Sequence, residues 1–198
     1  MDIIVATNNQ KKLKEMRAIL EDLGFSVKSL SEANIEAEIE ENGTTFAENA
    51  FIKAHAIMTL SGKPTIADDS GLCVTALSGE PGVYSARYGG KECQTDVDRY
   101  KLLLKNMEGQ HNREAYFASA ICLVYPDGRK IETEGRCYGK ITEAPFGEGG
   151  FGYDPVFYLD EYKMTMAELP SDVKNKISHR ANALTELHKL LENGSCDK

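Results

Sequence analysis

Pro64-Thr65-Ile66-Ala67-Asp68-Asp69-Ser70-Gly71 carries a short apolar run into two adjacent carboxylates and a pair of small residues. It reads as a strand that ends at Asp68-Asp69 and turns through Ser70-Gly71. Strand ends of this kind are where α/β proteins place their chemistry. Neighbouring carboxylates repel, so they are kept together for a bound hard cation or a shared proton. An Asp-rich turn with an Asx cap fits the same residues.

The flanking segments alternate between strand and helix patterns. Ile3-Ile4-Val5-Ala6 is an aperiodic apolar run suited to a buried parallel strand. The polar turn Thr7-Asn8-Asn9-Gln10 follows, then a helix with Leu13, Met16, Leu20 and Leu23 on one face, then a strand over 25–30. After an acidic connector over 32–41, Thr45-Phe46-Ala47-Glu48 forms a capping box that opens a helix to about Leu60. On that helix Asn49 and Lys53 lie four residues apart. A third helix is expected over 96–107 and a central strand over 115–125. A hairpin turn at Pro126-Asp127-Gly128 leads into a return strand over 130–141. A glycine-rich loop, Gly147 to Pro155, precedes a short strand. One last helix is expected over 175–192, with Ile177, Ala181, Leu184, Leu187 and Leu191 as its apolar stripe and 195–198 as a frayed tail. These segments form one α/β domain over 1–198.

Bulk composition narrows the function. The 198 residues are 41% hydrophobic and 27% charged, the balance of a globular chain. No apolar run approaches the roughly 20 residues of a membrane helix, and the N-terminus reads as a strand, not a signal peptide. Five cysteines, widely spaced and without CxxC, argue for reduced cytosolic thiols over a zinc site or disulfide framework. The net charge of −8, with no basic cluster, argues against a nucleic-acid surface. A small polyanion remains possible if lysines and a metal ion converge on one pocket.

Four further constellations carry chemistry. Asn8, Asn9, Lys11 and Lys12 precede a helix, where exposed N–H groups and an ammonium make an anion site. The connector offers Glu36, Glu38, Glu40 and Glu41, any of which could give a metal a third carboxylate. In Gly149-Gly150-Phe151-Gly152-Tyr153-Asp154-Pro155 the glycines admit a ligand close to the backbone, and Phe151 is a candidate platform for a flat base. Lys174, Ser178, His179 and Arg180 are offset from the apolar stripe and are expected to face outward or into a cleft, where they suit phosphate or carbonyl groups.

Six motifs in this order resemble the inosine triphosphate pyrophosphatase family, which hydrolyses non-standard purine nucleoside triphosphates. They are Ala6 to Lys12, Thr45 to Ala50, Ala67 to Leu72, Gly79 to Tyr88, Gly149 to Pro155 and Ile177 to Arg180. One departure is Thr7-Asn8-Asn9, where many bacterial members read Thr-Gly-Asn or Ser-Asn-Asn. The resemblance implies an elongated mixed β-sheet flanked by helices, with two lobes around a central active-site cleft. It also implies a cytoplasmic homodimer and Mg2+-dependent conversion of ITP, dITP or XTP to the monophosphate and pyrophosphate. Carried over residue by residue, Thr7, Asn8, Asn9, Gln10, Lys11 and Lys12 would cradle the triphosphate, with Lys53 nearby. Asp69 would be general base and metal ligand. Asp68 and Glu40, or Glu41 if the connector is offset by one, would complete the metal site. Ser70 would touch substrate, Phe151 would stack on the base, and Gly152, Tyr153 and Asp154 would line its pocket. Lys174, His179 and Arg180 would read the purine. A Maf-like pyrophosphatase of other specificity is the nearest alternative, and Ser178-His179-Arg180 argues against it. A non-catalytic nucleotide-binding regulator would need no base beside its metal. A dehalogenase-type phosphatase would use DxD where Asp68 and Asp69 are adjacent.

Overall fold

The computed structural model describes residues 1–194; the tail expected over 195–198, with Cys196, lies outside them. Seven strands form one mixed sheet: β1 (Asp2–Val5), β2 (Ser26–Lys28), β3 (Thr65–Val74), β4 (Glu114–Val124), β5 (Lys130–Ile141), β6 (Phe157–Leu159) and β7 (Met164–Thr165). Their order is β2-β1-β3-β4-β5-β6-β7. β1 pairs in parallel with both β2 and β3, whereas β6 pairs antiparallel with β5 and β7. Among the described residues five α-helices accompany the sheet: α1 (Gln10–Asp22), α2 (Phe46–Ser61), α3 (Asp96–Asn106), α4 (Ser171–Ile177) and α5 (His179–Gly194).

The described chain divides into two compact units. The boundary falls within β3 after Asp69, within β4 before Ser119, within β5 after Gly135, and between α4 and α5 before His179. In the first unit, one apolar cluster joins Ile3, Val5 and Ile66 to Leu13, Met16 and Leu20 of α1 and Ala181, Leu184 and Leu187 of α5. A second joins Ile4, Ala6 and Ala67 to Ala50, Ala54 and Ile57 of α2. Successive strand residues point to opposite faces, so Ile66 belongs to the α1/α5 side and Ala67 to the α2 side. α5 lies so close to β5 that a Cβ on Gly135 would collide with the backbone at His179 and Ala183. Beside it, the Thr133 hydroxyl donates to the Ala183 carbonyl at 2.9 Å. The second unit has its own core, in which Leu72, Val74, Leu103, Met107, Phe117 and Phe157 are buried together.

Three sequence expectations are corrected. Asp68-Asp69-Ser70-Gly71 does not turn: it lies in the middle of the ten-residue strand β3. Asp, Ser and Gly avoid strands by propensity, but pairing and burial override propensity. The single last helix is two, because Ser178 is extended (φ −64°, ψ 156°). Ile177 packs in the second unit's core while Ala181, Leu184 and Leu187 pack in the first unit's. The apolar stripe across Ser178 therefore serves two cores and cannot continue as one face. Lastly, β7 has no counterpart among the expected strands, since two residues carry no readable period.

Candidate active site

At the end of β1 the chain makes a polar loop into α1. The Asn9 carboxamide oxygen caps the helix, accepting from the N–H groups of Lys11 (3.0 Å) and Lys12 (3.1 Å), and Asn9's own N–H donates to the Thr7 hydroxyl (3.2 Å). The amides expected to meet an anion are thus held by Asn9, and Thr7 and Asn9 shape the loop. Asn8 donates to the Ala37 carbonyl at 3.2 Å, tying the loop to the acidic connector. Gln10 and Lys11 are exposed. Lys12 turns inward from the loop, its ammonium 3.3 Å from Asp68.

The two aspartates diverge. Asp68 shares the parity of Ile66 and faces α1 and α5. Its Oδ2 accepts from Arg180 Nε (3.2 Å) and Nη2 (2.9 Å), and Arg180 Nη1 donates to Glu15 of α1. Arg180 is 1% exposed and Asp68 1%. Burial by itself would raise the Asp68 pKa, but Lys12, Arg180 and Lys53 outweigh it and hold this carboxyl far below the usual range. Burial is also the main reason that Lys12 is pushed down, with Arg180 and Lys53 adding to it and Asp68 opposing.

Asp69 shares the parity of Ala67 and faces α2. There the Asn49 amide donates to its Oδ2 at 3.0 Å, and Lys53 Nζ stands 3.8 Å from its Oδ1. Asn49 is itself fixed from behind, because its oxygen accepts from the Gly43 N–H at 2.8 Å. The start of α2 is set by the expected capping box between Thr45 and Glu48. Burial raises the Asp69 pKa, with Glu41 adding to it, against the opposing pull of Lys53, Lys12 and the Asn49 bond. Adjacent in sequence, the aspartates are therefore shifted in opposite directions, Asp68 toward the anion and Asp69 toward holding a proton.

The glycine-rich loop of the second unit organises itself around Asp154. Its Oδ2 accepts from the Phe151 N–H (2.8 Å) and from Lys174 Nζ (2.7 Å), and that ammonium sits 4.8 Å from the centroid of the Phe151 ring. Gly150 has φ +72°, and a Cβ there would strike the Asp154 carboxylate. The Tyr153 hydroxyl donates to the Ser85 carbonyl at 2.8 Å, so Tyr153 is a buried anchor for the Gly79–Tyr88 motif. Ser70 is half-buried on β3.

Several sequence expectations change here. Lys174, Ser178, His179 and Arg180 are buried, not outward-facing. Helical offset from one stripe does not expose a residue when the break at Ser178 changes the face. The Arg180 guanidinium is committed to Asp68 and Glu15, so it pins β3 and does not stand ready to read a purine. Glu40 is exposed, whereas Glu41 binds Lys53 at 2.8 Å and lies beside Asp69. Glu15 and Asn49, which hold Arg180 and Asp69, are not among the site residues expected from the sequence. The i, i+4 spacing of Asn49 to Lys53 was the one signal that could have found Asn49.

Among the described residues no three His, Cys, Asp or Glu side chains converge to hold a metal. What is present fits a hard divalent cation nonetheless. Asp68 Oδ1 is buried without a hydrogen-bond partner. Mg2+ typically binds through one or two carboxylates and takes the rest of its shell from water and phosphate oxygens.

A buried aspartate with raised proton affinity beside Lys53, and a second one paired with Lys12 and Arg180, stand together on a mixed α/β sheet. Comparison with known proteins places this chain in a family. The model of the Ham1 family matches residues 3–190. The chain is 50% identical over 193 residues to the dITP/XTP pyrophosphatase of Bacillus licheniformis, covering 96% of this chain and 98% of that one. With the dITP/XTP pyrophosphatase of Bacillus subtilis the identity is 49%, over 96% of this chain and 97% of that one. The solved Ham1 protein of Staphylococcus aureus superposes with a TM-score of 0.86 at 40% identity, covering 98% of this chain and all of that one. That of Coxiella burnetii superposes at 0.87, also at 40% identity, covering 98% and 99%. The chain belongs to the Ham1 family.

Proposed function

We propose that this protein hydrolyses non-standard purine nucleoside triphosphates, dITP, XTP and ITP, to the monophosphate and pyrophosphate. The observation that carries the reading is Asp69: a buried carboxylate with raised proton affinity, oriented by Asn49 and flanked by Lys53, in a chain half-identical to dITP/XTP pyrophosphatases. A carboxylate of that kind can take a proton from attacking water. Lys12 and Lys53 stabilise negative charge on the triphosphate and on the departing pyrophosphate. Mg2+ is the proposed cofactor, held by Asp69, the buried Oδ1 of Asp68 and a connector carboxylate at Glu40 or Glu41. When bound, it would neutralise phosphate charge and lower the pKa of a coordinated water.

For the base, Phe151 offers a stacking face. An ammonium has three N–H donors, so Lys174 can serve Asp154 and the 6-oxo acceptor of hypoxanthine or xanthine together. The 6-amino group of adenine would meet that ammonium donor to donor, a mismatch that can discriminate by orders of magnitude. Four buried free thiols among the described residues fit work in the reducing cytoplasm, and a homodimer is the proposed assembly.

The test is a nucleotide panel assayed for pyrophosphate with Mg2+ and with EDTA, comparing wild type with Asp69→Asn. Wild type should release pyrophosphate from dITP and XTP only with metal. The variant should bind substrate but turn over about 100-fold more slowly, as loss of a general base costs. Turnover in EDTA or an undiminished Asp69→Asn rate defeats the reading.

A further inference from the structure

We propose that Asp96, at the start of α3, is a positioning residue for the Phe151 platform. The proposal rests on the reading of Phe151 as the base-stacking residue.

Asp96 and the glycine-rich loop are far apart in sequence yet directly joined. The Gly152 N–H donates to Asp96 Oδ2 at 2.9 Å across 56 residues. The other carboxylate oxygen accepts from Arg99 Nη2 at 2.7 Å, and Arg99 Nη1 reaches back to the Cys93 carbonyl at 3.3 Å. Asp96 is thus gripped from its own helix while it holds the loop. Helix capping does not explain it. Thr95 and Asp98 form the capping box of α3, each side chain accepting from the other's N–H. An acidic residue in the first turn gains from the helix dipole wherever its carboxylate points. The bond to Gly152 is additional and specific.

Its position matters because of what Phe151 lacks. Gly150 and Gly152 flank it, both at positive φ (72° and 63°), and neither residue stiffens the backbone. The restraint comes from two carboxylates on consecutive amides. Asp154 holds the Phe151 N–H and Asp96 holds the Gly152 N–H. These two peptide groups lie on either side of the Phe151 α-carbon, so together they set the direction of its side chain. Lys174, fixed by the same Asp154, then stands over the ring. If Asp96 is lost, one of the two amide anchors goes, and the ordering it supplied must be met when the base binds. The expected consequence is weaker base binding with unaltered chemistry.

The experiment compares wild type with Asp96→Ala, Asp96→Glu and Asp96→Asn. It measures KM and kcat for dITP and XTP, and the inhibition constant of inorganic tripolyphosphate, which carries no base. Asp96→Ala should raise KM roughly tenfold, the ordinary worth of a hydrogen bond to a charged acceptor. Its kcat should stay within about twofold and its tripolyphosphate constant should not move. Asp96→Glu keeps the helix-start charge but displaces the carboxylate. It should behave like Asp96→Ala, and it stands in for that variant should the alanine chain not fold. Asp96→Asn retains an acceptor oxygen and should recover most of the wild-type KM. The proposal is overturned if the Ala and Glu variants keep the wild-type KM, if nucleotide and tripolyphosphate constants shift together, or if Asn fails to rescue. A wild type that hydrolyses neither nucleotide refutes the functional reading and this proposal with it. An active wild type with unchanged variants refutes this proposal alone.

Discussion

At the residue scale, Asp68 and Asp69 differ in surroundings, not in kind. Asp68 answers to Arg180 and Lys12, and Asp69 to Asn49 and Lys53. Asn49 is the least replaceable of these neighbours because it both donates to Asp69 and accepts from Gly43. Asn49→Ala should lower kcat for dITP by about tenfold or more and cost roughly 1–3 kcal/mol of stability, since a buried donor and a buried acceptor lose partners. Steady-state kinetics and urea melts would read the two effects separately. A variant with wild-type kcat would show that Asp69 keeps its orientation without the amide. The importance of the aspartates was legible in the sequence, and the family resemblance set Asp69 apart as the base, but the surroundings that separate the two were not legible. Adjacent carboxylates read as a shared pair, and only the pleat of a strand sends them to different helices.

At the scale of elements, Arg180 fastens α5 to β3 through Asp68 and to α1 through Glu15. Removing it takes the guanidinium from two buried carboxylates, of which Asp68 keeps Lys12. Breaking a buried ion pair from one side typically costs about 3–5 kcal/mol. Arg180→Ala should therefore shift the urea midpoint markedly, and Arg180→Lys should recover little, because an ammonium cannot reproduce the fork. A neutral Arg180→Ala result would remove this fastening role. The elements with strong local signals match the sequence reading: α2 from its capping box, and β5 from its hairpin turn. The break at Ser178 carries no proline or glycine. It arises because the chain changes cores there, and a one-dimensional apolar pattern cannot distinguish one core from two.

At the scale of the whole molecule, the two-unit division has no linker to announce it, since three of its four boundaries cut through strands and the fourth falls at Ser178 between two helices. Four cysteines lie buried among the described residues. Burial, with Glu132 adding to it, pushes Cys122 up to about 12, and burial with Asp154 pushes Cys137 up to about 11. Both thiols bind their protons more tightly in the fold than in the unfolded chain. Stability from them is intact below the ordinary thiol value and is lost as pH rises through those figures. At pH 8 iodoacetamide should leave Cys122 and Cys137 unmodified in native protein and label both in urea, as read by peptide mass mapping. Native labelling at either position would contradict their burial. The strand that carries the aspartates has a consequence of a different sort. Because β3 alternates its faces residue by residue, the gene can gain or lose codons just ahead of Asp68 only in twos. A single-codon change there would turn each aspartate to the face opposite its present partners, with every amino acid of the motif still present.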